Sequence, residues 1–130
     1  MEDFFIEETQ TTPEISFCFN KGQLEIKGVC FPEYPEEFYR PLMKYFDTQI
    51  ATSDLKKIVV SFKLTYFNTG TNPIIAELLK VFEKLQKKHD KIILIQWFYE
   101  EGDDEMKEVG EYFKTLTSIP FNFIAVDEIL

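Results

Sequence analysis

The sequence predicts an α/β protein: a mixed β-sheet with an N-terminal hairpin and helices packed on it, in the order β-β-α-β-α-β-α-β. Three observations predict it. Apolar and polar residues alternate in two adjacent stretches near the N-terminus. Two later runs, 57–67 and 91–99, are rich in β-branched and aromatic residues. Between and after those runs, apolar residues recur at helical spacing.

Residues 1–13 are acidic and then Thr-rich, ending at Pro13, and read as a loosely held lead-in. Ile15, Phe17 and Phe19 alternate with Ser16, Cys18 and Asn20, and residues 23–27 alternate again across the turn Asn20-Lys21-Gly22. This is a hairpin signature. Residues 28–35 hold Gly28, Pro32 and Pro35 and read as a connection. Phe38, Tyr39, Leu42, Met43, Phe46 and Ile50 then follow a helical period, with Pro35 and two glutamates suited to a first turn. Pro41 calls for a late start or a bend, because a proline inside a helix removes a hydrogen bond.

The run 57–67 (KIVVSFKLTYF) reads as a central strand. After the interruption 68–73 comes an amphipathic helix with Ile74, Ile75, Leu78, Leu79, Phe82 and Leu85 on one face. Asn72 is its expected cap, with Pro73 at the first helical position. The run 91–99 (KIILIQWFY) reads as a strand covered on both faces. An acidic loop follows, then a helix carrying Met106, Val109, Phe113 and Leu116, with Asp103 or Asp104 as cap. Residues 121–126 close the chain as a strand after Pro120.

The 130 residues fit one domain, 1–130, and its 14 Phe supply a large aromatic core. A formal net charge of −9 opposes nucleic acid and anionic lipid, so neither is an expected partner. No run approaches the roughly 20 apolar residues of a membrane-spanning helix. The N-terminus has acids where a signal peptide needs bases. Cys18 and Cys30, without CxxC spacing, read as buried thiols of a reducing compartment, and the expected location is cytoplasmic.

Signals for catalysis are weak. The single histidine, His89, ends a Lys-rich helix and reads as a solvated helix-end residue. There is no nucleotide-binding glycine motif, nucleophile elbow or zinc spacing, so no catalytic residue, metal or cofactor is assigned. The carboxylates between Glu100 and Glu111 lack the EF-hand pattern and read as a solvated acidic face. Trp97 and Tyr99 alternate on a strand and read as one shared core face. The segment Tyr66-Phe67-Asn68-Thr69-Gly70-Thr71-Asn72-Pro73 joins a central strand to a helix, which places it where partners commonly meet α/β sheets. A helix start there also tolerates a phosphate, although on local sequence alone three hydroxyl or amide residues beside a glycine read first as an ordinary capped turn.

Several stretches carry a resemblance. "TPEISF", "GQLEIKG", "YPEEFYRPLMKYF", "LTYFNTGTNPIIAELLKVFEKL", "IQWFYEEGDDEMKEVGEYF" and "PFNFI" are similar, in collinear order over nearly the whole chain, to the SiaC family of bacterial regulatory phosphoproteins. The resemblance implies a fold like that of STAS domains and a role in partner switching. It implies phosphorylation by a cognate serine/threonine kinase and reversal by a PP2C-type phosphatase. The unmodified form would bind and activate an effector, with a diguanylate cyclase as the family precedent. The threonine matching the family's N-T-S-type turn is Thr69, after Asn68; Thr71 is the second candidate. Gly70 and Thr71 stand where the family commonly has serines. The implied partner-binding residues are Tyr66, Asn68, Thr69, Gly70 and Thr71. The alternative is an anti-sigma-antagonist-like or constitutive interaction module with a different effector.

Overall fold

Alternation between buried and half-exposed positions organises every long strand of the computed structural model, which describes residues 3–129. The strands are β1 (Phe4–Ile6), β2 (Glu14–Cys18), β3 (Gln23–Cys30), β4 (Lys57–Phe67), β5 (Ile92–Glu100) and β6 (Phe121–Val126). They form one six-stranded sheet in that spatial order. The pairs β1–β2 and β2–β3 are antiparallel, and the pairs from β3 to β6 are parallel. The crossovers are α1 (Pro35–Tyr45), α2 (Asn72–Lys88) and α3 (Asp104–Thr115).

Three expectations are corrected. The lead-in, of which residues 1 and 2 lie outside the described residues, carries β1, so the order gains a strand. β1 pairs Phe4 with Phe17 and Ile6 with Ile15, and the Phe4 ring lies 5.1 Å from Tyr45. The Phe19 N–H donates to Asp3 Oδ1 at 2.8 Å and the Phe31 N–H to the Thr11 carbonyl at 2.9 Å. Three residues are too few to show a period, so only these long-range contacts reveal the strand. Second, β3 does not stop at Gly28 but runs on to Cys30 through a bulge between Gly28 and Val29. Gly28 takes φ +113°, a backbone conformation that side chains disfavour. Third, the sheet is covered on one face only. Ile58, Val60, Phe62 and Leu64 of β4 are buried, whereas Val59, Ser61 and Lys63 are half-exposed. Register aligns Ser16, Glu25, Ser61 and Gln96 in a polar row across the second face. There Ser61 Oγ donates to Gln96 Oε1 and Lys63 pairs with Glu25 at 2.9 Å.

All three helices pack on the buried face. Phe17 meets Phe46, just past α1, at 5.0 Å, and Phe46 meets Phe82 of α2 at 5.6 Å. Trp97 lies 5.9 Å from Phe113 of α3 and donates its indole N–H to the Met106 carbonyl. Tyr99 is only half-buried, with Lys107 over its ring. α1 begins at Pro35, continues through Pro41, and passes into a wider π-helical turn, Phe46–Ile50.

Four adjacent parallel strands, β3 to β6, have their C-terminal ends on one edge of the sheet. The loops that leave β3, β4 and β5 therefore lie side by side there, with the loop after β4 in the middle. This topology positions the site.

Candidate functional site

The turn after β4 is built by Asn68. Its backbone is extended (φ −96°, ψ 126°), and its side-chain oxygen accepts the Gly70 N–H at 2.7 Å. Its carbonyl accepts the Thr71 N–H at 2.9 Å, and its own N–H donates to the Cys30 carbonyl at 3.0 Å. These three bonds hold Thr69–Thr71 as a single 3₁₀ turn docked on the end of β3. Thr69 and Gly70 are exposed at its tip, whereas Thr71 is only 1% exposed. The turn runs straight into α2, so the Asn72 N–H bonds the Thr69 carbonyl and Asn72 does not cap the helix as expected. Asn72 Oδ1 is shielded from solvent and finds no hydrogen-bond partner among the described residues. Asp103 does cap α3, accepting the Met106 N–H at 3.1 Å.

Beneath the turn, Cys30 Sγ lies 3.0 Å from the Tyr39 hydroxyl, and Thr71 hydrogen-bonds the same thiol. Burial pushes the Cys30 thiol up from 9.0 to about 11, against the smaller opposing effect of those two hydrogen bonds. Burial and the neighbouring Cys30 raise Tyr39 as well. A folded-state pKa raised above the unfolded value means that stability is fully present below about pH 9 and lost as pH rises toward 11. A shift of this size corresponds to about 2–3 kcal/mol. Cys30→Ala is therefore expected to lose less stability than wild type between pH 8 and 10.5 in urea titrations. Equal losses in the two proteins would remove Cys30 as the cause. Cys18 is half-exposed by contrast.

Two open grooves flank the turn. One, of about 440 Å³, lies between the turn and α3 and is lined by Tyr66, Thr69, Asn72, Met106, Val109 and Tyr112, with Asp103, Glu105 and Glu108 on its acidic side. The other, of about 370 Å³, faces the start of α1, where Glu33, Tyr34, Glu36, Glu37 and Arg40 meet Gly70 and Pro73. Four large aromatics stand exposed at this end of the molecule: Phe31, Tyr34, Tyr66 and Tyr112. Phe31 and Tyr66 meet edge to face at 5.2 Å. Exposed aromatics grouped beside grooves are the chemistry of a protein interface.

A family model described as "SiaC family regulatory phosphoprotein" matches residues 6–126. The chain belongs to the SiaC family. An uncharacterised protein of Pseudomonas aeruginosa strain UCBPP-PA14 is 25% identical over 130 residues, covering 98% of this chain and all of its own. SiaC of Pseudomonas aeruginosa has the same fold, with a TM-score of 0.83 at 23% identity, covering 97% of this chain and 100% of its own. A chain from the crystal structure of diguanylate cyclase SiaD in complex with its activator SiaC, from the same organism, superposes at 0.85. It is 22% identical and covers 95% of this chain and 100% of its own.

Of the residues singled out in the sequence, Tyr66, Asn68, Thr69 and Gly70 come together at the exposed face, and Thr71 points inward. The acidic stretch divides: Asp103, Glu105 and Glu108 line a groove, while Glu100 accepts the Ile129 N–H. Among the described residues no cluster of His, Cys, Asp and Glu is arranged to hold a metal ion. No helix among them is long and apolar enough to cross a membrane. Sequence reasoning missed Phe31, Tyr34 and Tyr112. Tyr112 had a signal, since it falls outside the stripe Met106, Val109, Phe113 on its helix.

Proposed function

We propose that this chain is a phosphorylation-controlled protein-binding regulator whose unmodified Thr69 turn binds and activates an effector. A cognate serine/threonine kinase phosphorylates Thr69 and so blocks binding, and a PP2C-type phosphatase restores it. A diguanylate cyclase is the effector class, by analogy with the SiaD–SiaC complex. The chain acts by binding and not by catalysis, in one cytoplasmic domain. The observation that carries the reading is the contrast within the turn of a SiaC-family chain. The Thr69 hydroxyl is exposed among aromatics, and the Thr71 hydroxyl is buried against Cys30. A phosphate adds about −1.5 to −2 charge at that point, and a partner packed over it must desolvate a dianion.

Intact-mass and peptide mass spectrometry on protein from its native host tests this. One phosphate, on Thr69, is expected in part of the population, and treatment with a PP2C-type phosphatase should remove it. Phosphate on Thr71 would require the turn to open and would overturn the assignment. Protein unmodified in every growth condition would favour a constitutive interaction module.

A further inference from the structure

We infer that the kinase reads Thr69 as part of a folded acidic surface and not as a linear sequence, and so must present a basic docking face. This rests on the proposed phosphorylation of Thr69 and names the chemistry of the partner that performs it. From Leu64 to Ala76 the chain holds no charged residue, so the local sequence offers a kinase nothing electrostatic to recognise. Lys63, just before, is turned to the polar face of the sheet and paired with Glu25 at 2.9 Å.

The charge arrives through the fold. Asp103, Glu105 and Glu108 line the groove that Thr69 shares with α3, and no cation lines it among the described residues. On the other side, Glu33, Glu36 and Glu37 stand opposite Gly70 with one cation, Arg40, which pairs with Glu36 at 3.8 Å. These acids lie 32 or more positions from Thr69 in the chain, and crossovers at one sheet edge bring them to it. The rest of the lining of the α3 groove suits a long cationic side chain. Asn72 lines the α3 groove beside these carboxylates. A lysine or arginine entering from the kinase would meet the carboxylates Asp103, Glu105 and Glu108 there. The walls formed by Tyr66, Met106, Val109 and Tyr112 suit the apolar stem of such a side chain.

The turn's own bonds also oppose reading as an extended peptide. Three hydrogen bonds of 2.7, 2.9 and 3.0 Å close it, and Thr71 is locked beneath. In the transfer, Thr69 Oγ1 attacks the γ-phosphorus of a nucleoside triphosphate. The bond to the bridging oxygen breaks and the nucleoside diphosphate leaves with its electron pair. The hydroxyl proton passes to a carboxylate of the kinase. The protein's contribution is to hold the hydroxyl outward on a rigid turn and to attract the enzyme by charge, which complements a net charge of −9.

The test is steady-state kinetics with kinase fractionated from the native host by its transfer of labelled phosphate to the full-length chain. Three substrates are compared: wild type, a synthetic peptide of residues 62–80, and the double variant Glu105→Lys, Glu108→Lys. The peptide is expected to show kcat/KM lower by about a hundredfold or more. The double variant is expected to show KM raised roughly tenfold at low salt with kcat unchanged, and the gap should close at high salt. Glu105→Gln, Glu108→Gln, with Tm matched to wild type, should move KM in the same direction by less, which separates docking from damage to the helix. A peptide as good as the folded chain, or a KM indifferent to these charges, overturns the inference while leaving phosphorylation of Thr69 intact. Label on wild type at another residue overturns the underlying reading as well.

Discussion

Thr69→Asp is expected to lose effector binding by about a hundredfold, while Thr69→Ala binds like wild type and cannot be switched off. The ground is the position of Thr69 at the exposed tip of a rigid turn, edged by Tyr66 and Tyr112. An interface centred on such aromatics excludes water, and a carboxylate trapped in it without a partner costs about 2–4 kcal/mol. Each 1.4 kcal/mol is about tenfold in affinity, so the loss falls in the measured range of calorimetry. Neither substitution disturbs the fold, because the bonds that hold the turn use the backbone of residues 68–72 and the Asn68 side chain. Titrating a candidate effector of the proposed class, a diguanylate cyclase from the same host, with each variant and following cyclic dinucleotide synthesis gives the comparison. An Asp variant that activates the cyclase as well as wild type would remove the turn from the interface. An Ala variant that fails to bind would show that the hydroxyl itself is a contact.

Much of this architecture was legible in the residues, and the exceptions share a cause. α2 declared itself because Ile74, Ile75, Leu78, Leu79, Phe82 and Leu85 recur at helical spacing, and all six are buried. β4 runs from Lys57 to Phe67 as its composition indicated, and β5 and β6 fall within a residue of expectation. Where the chain's own neighbours determine conformation, sequence is enough. The face left open on the sheet was also written there, in Ser61, Lys63 and Gln96 at alternate positions, but the apolar majority masked it. Other features depend on residues far apart in the chain. β1 exists because Phe4 and Ile6 find Phe17 and Ile15. Thr71 turns inward because Cys30 and Tyr39 offer it a buried polar environment. The acidic flanks of Thr69 form because strands β3, β4 and β5 end on one edge. Asn68-Thr69 was legible as a turn; which hydroxyl faced solvent was not.

Gly110→Ala is expected to destabilise the protein by about 1–3 kcal/mol and to lower Tm by roughly 3–10 °C. Two effects of opposite sign compete here. An alanine inside a helix is favoured over glycine by about 1 kcal/mol, and on an open helix face that would win. The α3 glycine, however, faces the sole tryptophan of the chain. A Cβ at residue 110 would lie 2.5 Å from Trp97 Cδ1, 2.6 Å from Nε1 and 2.7 Å from Cγ. The indole has nowhere to go: its N–H bonds the Met106 carbonyl at 3.0 Å, and its ring packs 5.1 Å from Phe62 and 5.9 Å from Phe113. The strain must therefore lift α3 off the sheet, and overpacking outweighs propensity. Lifting α3 also moves Met106, Val109 and Tyr112, the wall of the groove beside Thr69. Partner affinity should fall together with Tm, and the Trp97 fluorescence spectrum should shift to the red as its cover loosens. An alanine variant with Tm equal to or above wild type would mean that α3 separates from the sheet at little cost. The groove would then be adjustable in width, and the partner surface would be set by binding instead of by the close approach of Gly110 to Trp97.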